Sequence, residues 1–168
     1  MLGVLASAAA VFGASDSAWL ATLHCLPAAV QLEQVDWLAR VLAQRAIPSY
    51  LLELQLTLLG RFGERVHWPG SAPTLTLSAT LRARRLHALP DFSAYGLRFA
   101  LSVGCQRGDA HGAGLLVAAA AIDLASGLSD SAATVTDWFK DPAIFSPQWI
   151  TAVDATFSSA SQALRSGG

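Results

Sequence analysis

The most apolar part of this chain reads Ala110-His-Gly-Ala-Gly-Leu-Leu-Val-Ala-Ala-Ala-Ala-Ile-Asp-Leu-Ala-Ser-Gly-Leu128. Asp123 is its only charged residue, and Asp109 precedes it in a position suited to an N-cap. A helix that is apolar on every side is stable only when other helices surround it and bury its whole surface. The sequence therefore predicts a central helix over 110–128.

Sequence signals for helices occur on both sides of this segment, and they predict the helices that surround it. Ser146-Pro147 joins an N-cap residue to a first-turn proline, which predicts the start of the last helix. Short breaks separate the other predicted helices, which are 16–25, 28–46, 48–65, one ending near 89, 91–106 and a short one around 135–139. We therefore predict an all-α fold, a single compact domain of residues 1–168 with seven or eight helices, comparable in size to a globin.

The predicted helix 28–46 is the most clearly amphipathic one. Its polar face carries Asp36 and Arg40 at i,i+4 spacing, which predicts a surface ion pair between them.

Two apolar stripes run along the predicted helix 48–65. The first stripe contains Leu51, Leu54, Leu58 and Phe62, and the second contains Leu52, Leu56 and Leu59. Four polar residues, Glu53, Thr57, Arg61 and Glu64, lie between these stripes, and we expect all four to face solvent. This helix is thus expected to pack on the core and also on a partner protein or a second subunit.

The segment from Thr74 to Leu81 is ambiguous because it alternates strictly between hydroxyl-bearing or small residues and apolar residues. Such alternation is typical of a strand, yet no second alternating segment exists to pair with it. We predict that residues 74–81 form an extended segment that leads into the helix ending near 89, and the choice between strand and helix stays open. The following Arg82-Ala-Arg-Arg85 cluster is interpreted as a solvated helix face, with a grip on phosphate or an acidic partner as the alternative.

Composition limits the class of protein. Hydrophobic residues make up 53% and charged residues 14% of the chain, against about 25% charged in an average domain, so we expect a partner to cover some apolar surface. A net charge of −1 argues against nucleic-acid binding. Cys25 and Cys105 are too few for a disulfide framework, which favours reduced thiols in a cytoplasmic protein. Ten of the eleven basic residues are Arg, as is typical of a GC-rich bacterial coding sequence.

Two features raise the question of a membrane or a leader segment. Mean hydropathy is +0.43, but the longest apolar run, residues 112–122, is about half the roughly 20 residues that a spanning helix needs. Residues 1–14 have the apolar and small residues of a signal peptide without the preceding Lys or Arg. We interpret them as a packed first helix, with a cleaved segment as the alternative.

Familiar catalytic and metal-binding motifs are missing from the sequence. It contains no Glu-x-x-His pair, His-x-x-x-His pair, Cys-x-x-Cys, phosphate loop or Gly-x-Ser-x-Gly elbow. We therefore expect no metal site.

Four residues are candidates for ligand binding. His24 lies among apolar residues, where a neutral imidazole suits haem ligation, and Cys105 beside Arg107 suits covalent attachment of a linear tetrapyrrole. Asp123 in the apolar helix needs a partner or a proton, and Arg98 on the preceding helix is the predicted partner.

These observations favour a non-enzymatic helical regulatory or sensor domain that binds a partner protein or a small apolar ligand. One alternative is a globin-like sensor that binds haem or bilin through His24 or Cys105. The other is a small helical enzyme without a familiar motif, in which Asp123 and an arginine act together.

Overall fold

The computed structural model describes residues 15, 17–104, 108–130 and 136–166, with the backbone alone at 108 and 109. In these ranges the fold is all-α, without a strand. The helices are α1 (17–22, continued by a 3₁₀ turn Leu23–Cys25), α2 (Ala28–Gln44), α3 (Tyr50–Arg65), α4 (Ser71–Ala88), α5 (Phe92–Ser102), α6 (Gly108–Ala125), α7 (136–138) and α8 (Pro147–Ser166). The predicted multi-helix bundle is confirmed.

The first four helices share one apolar cluster. Its fully buried members include Leu20, Val35, Leu52 and Leu56, which bring α1, α2 and α3 together. Helix α4 packs along α3, and the two approach so closely at Gly60 that a Cβ there would lie 2.6 Å from the Cγ of Leu75.

A second group of helices is built around α6, as its apolar sequence predicts. Helices α5 and α8 cover it, and Val117, Ala118 and Val153 lie wholly inside. Small residues bring α5 and α6 close together, since a Cβ added at Gly114 would lie 2.5 Å from the Cβ of Phe99.

The two groups meet where α3 and α4 contact α6. Both oxygens of Asp123 on α6 accept hydrogen bonds from Ser49, the residue that precedes α3. Nearby, the Tyr50 and Phe92 rings pack edge to face with their centroids 5.1 Å apart. This junction therefore combines buried polar groups with packed aromatic rings.

The predicted extended lead at 74–81 is wrong, because α4 is helical from Ser71. Hydroxyl groups explain how a strand-like pattern fits a helix. Thr74, Thr76 and Thr80 each donate to the carbonyl oxygen four residues earlier, at 2.8–3.0 Å. Leu77, at i+3 from the buried Thr74, lies on the same inward face.

Predicted helix starts and ends are partly corrected. Ser146 caps α8 as expected, since its Oγ accepts a hydrogen bond from the Trp149 amide. Asp91 is the N-cap residue of α5, but its side chain makes no capping bond. Asp109 lies within α6, which begins one residue earlier, so it is not the N-cap. The predicted helix in residues 1–14 lies outside the described residues.

The two stripes on α3 have different environments. Leu52 and Leu56 are buried within the chain, whereas Leu58 is 69% and Phe62 is 62% exposed. One stripe thus packs on the core as predicted, and the other faces solvent.

None of the helices in the described ranges combines the length and the apolar character that crossing a bilayer requires.

Candidate functional site

A carboxylate buried between α3 and α4 is the most unusual polar feature of the described structure. Glu53 is 1% exposed, which corrects the prediction that it faces solvent. Arg85 of α4 donates to both of its oxygens, from Nε to Oε2 at 2.7 Å and from Nη2 to Oε1 at 2.9 Å. Arg82 adds a third bond, from Nε to Oε1 at 3.3 Å. A buried carboxylate is stable only with such compensation, so these bonds fix the register of α3 against α4.

The two arginines differ in how deeply they lie. The side chain of Arg85 is 11% exposed, and its guanidinium lies 4.0 Å from the Phe92 ring centroid and 5.0 Å from that of Tyr50. These cation–π contacts tie the ion pair to α5. Arg82 is 59% exposed and presents most of its guanidinium to solvent. The predicted solvated face is therefore right for Arg82 and wrong for Arg85.

Hydroxyl groups complete the interface between α3 and α4. The backbone oxygen of Glu53 accepts bonds from Thr57 at 2.9 Å and from Ser78 at 3.1 Å. The polar residues of α3 that were predicted to face solvent therefore lie partly in the interface between α3 and α4. Of the four predicted residues, Arg61 and Glu64 are exposed as expected.

Asp123 is buried at 3% exposure, and its partner is Ser49. The Ser49 amide donates to Oδ2 at 2.7 Å and the Ser49 hydroxyl donates to Oδ1 at 2.5 Å. Burial raises the pKa of the Asp123 carboxyl, and the bonds from Ser49 oppose that rise. The predicted Arg98 partner is wrong, because Arg98 is exposed, stacks on the Tyr95 ring at 4.3 Å and donates to the Ala94 carbonyl.

These groups line a cavity of about 260 Å³ between α2, α3, α4 and α6, here called the junction cavity. Its apolar wall includes Ala39, Leu81, Ala88, Ala119, Ile122 and Leu128. Its polar wall includes Asp36, Arg40, Ser49, Tyr50, Glu53, Arg84, Arg85, Asp123 and Ser126. A concave space in which polar groups converge beside an apolar wall is a usual form of a small-molecule site, and here nine polar residues face six apolar ones.

Charge around the junction cavity is nearly balanced. Asp36 pairs with Arg84 of α4 rather than with Arg40, which corrects the predicted i,i+4 pair. Arg40 is exposed and makes no ion pair with any residue in the described ranges.

Burial raises the pKa of Tyr50, although Arg85 opposes the shift, so this residue keeps its phenolic proton and remains a donor.

The other sequence-predicted residues lie away from the junction cavity. His24 contacts the Ala21 carbonyl through Nδ1 at 2.7 Å, and its ring packs edge to face on Trp68 at 5.1 Å. Cys105 lies outside the described residues. Of the four candidate residues, Asp123 alone is among the described lining of this cavity.

Sequence reasoning missed Glu53, Arg85 and Ser49 as site residues. One signal was present, because Arg82 and Arg85 stand at i,i+3 on the α4 face that also carries Ser78. Arginines at this spacing beside a small polar residue are compatible with a carboxylate on a neighbouring helix, which the sequence analysis did not consider.

Within the described ranges, no group of three or more His, Cys, Asp or Glu side chains is arranged to hold a metal ion. No family model, curated protein or solved structure matches this chain.

The environment of Asp123 predicts a specific pH dependence of stability. Because the folded pKa is raised, the folded state keeps the proton to a higher pH than the unfolded chain. The free energy of unfolding of the wild type, minus that of Asp123→Asn, should be greatest below the unfolded pKa of about 4. It should fall as pH rises through the folded pKa and then level off.

Urea unfolding over a pH series measures this difference. Glu33→Gln, which changes an exposed carboxylate on α2, is the control and should leave the slope of the wild type unaltered. A difference that grows with pH would show that the Ser49 bonds outweigh burial, contrary to this account.

Proposed function

We propose that this protein is a non-enzymatic helical domain that binds a small, largely apolar ligand in the junction cavity, in a regulatory or sensing role. The observation that carries the proposal is the position of the cavity. It opens where the two helix groups meet, and Asp123 and Ser49, which join the groups, form part of its wall. A ligand that prefers one arrangement of the groups would shift their relative populations.

The lining indicates the chemistry of the ligand. An engineered cavity of about 150 Å³ accommodates benzene, so about 260 Å³ accommodates a larger ring compound. Asp123 accepts bonds from Ser49 on both oxygens and has further lone pairs to offer. A ring that carries an N–H or O–H donor fits this wall best.

Two features favour binding over catalysis. The described lining of the junction cavity contains no His, Cys or Lys, so it offers no familiar nucleophile paired with a base. Four of its ionisable groups are held in the Glu53–Arg85 and Asp36–Arg84 pairs, and Asp123 is held by Ser49. The haem or bilin alternative receives no support from His24, whose ring is engaged with Trp68 outside this cavity.

Indole, a ring with one N–H donor, tests the proposed site. We expect it to raise the Tm of the wild type by roughly 3–6 °C at ten times its Kd. Ala119→Leu places extra atoms in the cavity and should abolish the shift. Asp123→Asn removes the carboxylate and should reduce the affinity for indole.

The matched control is Ala83→Leu, which adds the same atoms on an exposed position of α4. It should respond to indole as the wild type does. An equal response in Ala119→Leu, or no binding of indole or of related ring donors to the wild type, would count against the junction cavity as the binding site.

We propose self-association through the outer stripe of α3 as a second function. Leu51, Leu58 and Phe62 are exposed on one face, and Val66 extends it beyond the helix. An apolar stripe of this length on a chain with only 14% charged residues favours a second copy as its cover.

Light scattering at micromolar concentration tests this assembly. We expect a mass at least twice the 17.6 kDa of one chain, and Leu58→Glu should return it to the monomer value. Leu97→Glu changes an exposed leucine on α5 and serves as the control. A monomeric wild type would rule the assembly out.

A further inference from the structure

A second and more open cavity, of about 290 Å³, shares the Arg85 and Tyr50 side chains with the junction cavity. It is here called the arginine cavity, and its lining consists of Tyr50, Arg82, Arg85, Leu86, Phe92, Ser93 and Leu115. No carboxylate belongs to this lining. The nearest acidic residue along the chain, Asp91, is exposed and does not line it.

The charge of this cavity is the main argument. Glu53 carries one negative charge and is bonded by two arginines, so the cluster has a net charge of +1. Arg82 uses only its Nε–H on Glu53, which leaves four of its five N–H donors without a partner in the described residues. Arg85 spends two donors on Glu53 and keeps three.

Neutral groups add donors and apolar surface. The Tyr50 hydroxyl makes no hydrogen bond with any described residue, and Ser93 supplies a second hydroxyl in the first turn of α5. The amino end of a helix favours negative charge. Phe92, Leu86 and Leu115 form the remaining wall, which suits an apolar body rather than a bare ion.

We propose that the arginine cavity is a binding site for a small carboxylate with an apolar ring, held by the free donors of Arg82 and Arg85. The planar guanidinium matches the two oxygens of a carboxylate, and the ring packs beside Phe92. This site is separate from the junction cavity, and neither proposal depends on the other.

Benzoate is the test ligand, followed by amide chemical shifts of the full chain at constant ionic strength. The largest shifts are expected at Leu86 and Ser93. Benzamide, which has the ring without the charge, and acetate, which has the charge without the ring, should each bind about tenfold or more weakly. Inorganic phosphate should likewise bind more weakly than benzoate.

Three variants separate this site from the rest of the protein. Arg82→Gln should weaken benzoate about tenfold or more, and it keeps the fold because Arg85 still neutralises Glu53. Arg61→Gln removes one exposed charge from α3 and should leave the affinity unchanged. Ala119→Leu, which fills the junction cavity, should also bind benzoate normally.

Each contrary result overturns the proposal. Equal binding of benzoate and benzamide would show that charge is not recognised, and equal binding of benzoate and phosphate would show that the apolar wall is not used. Loss of benzoate binding in Ala119→Leu, with retention in Arg82→Gln, would place benzoate in the junction cavity instead.

Discussion

The buried Glu53 carboxylate is the constraint on which the arrangement of helices depends. A charge at this depth must be neutralised by cations that reach it in good geometry. Arg85 reaches it through two bonds, and its guanidinium also packs over the adjoining Tyr50 and Phe92 rings. One carboxylate therefore sets the register of α3 on α4 and carries that register to α5. The pair contributes specificity of packing more than net stability, since an apolar replacement of similar volume would also fill the space.

Both cavities follow from this arrangement. The long side chains of Arg85 and Tyr50 form a wall that belongs to each of them. On one side of the wall, Asp123 and Ser49 join the two helix groups and leave a partly open, nearly neutral space. On the other side, two arginines share one carboxylate and leave donors unused. The same polar residues thus position the helices and carry both proposals, a ring donor in the junction cavity and a ring carboxylate in the arginine cavity.

Much of the fold was predictable from the sequence because helix periodicity and capping are local signals. The apolar run 110–128 predicted a central helix, and Ser146-Pro147 predicted the start of α8. Asp123 was predictable as a carboxylate in need of a partner because a charged residue among alanines is anomalous. Its partner was not, since Ser49 lies 74 residues away and its role depends on how two helix groups meet. Glu53 was wrongly predicted to face solvent for a related reason. On a helix with two apolar stripes, the polar residues between the stripes can face a neighbouring helix instead of water.

The account depends most directly on the coupling between Glu53 and Arg85. A double-mutant cycle with Glu53→Ala, Arg85→Ala and the double variant, followed by urea unfolding, measures that coupling. Glu53→Ala should lose about 3–5 kcal/mol, because it leaves the buried Arg85 without its carboxylate. Arg85→Ala should lose less, because Arg82 still donates one bond to Glu53. The double variant should lose less than the sum by about 2 kcal/mol or more. Single losses below about 1 kcal/mol with no coupling, as for exposed ion pairs, would contradict the account.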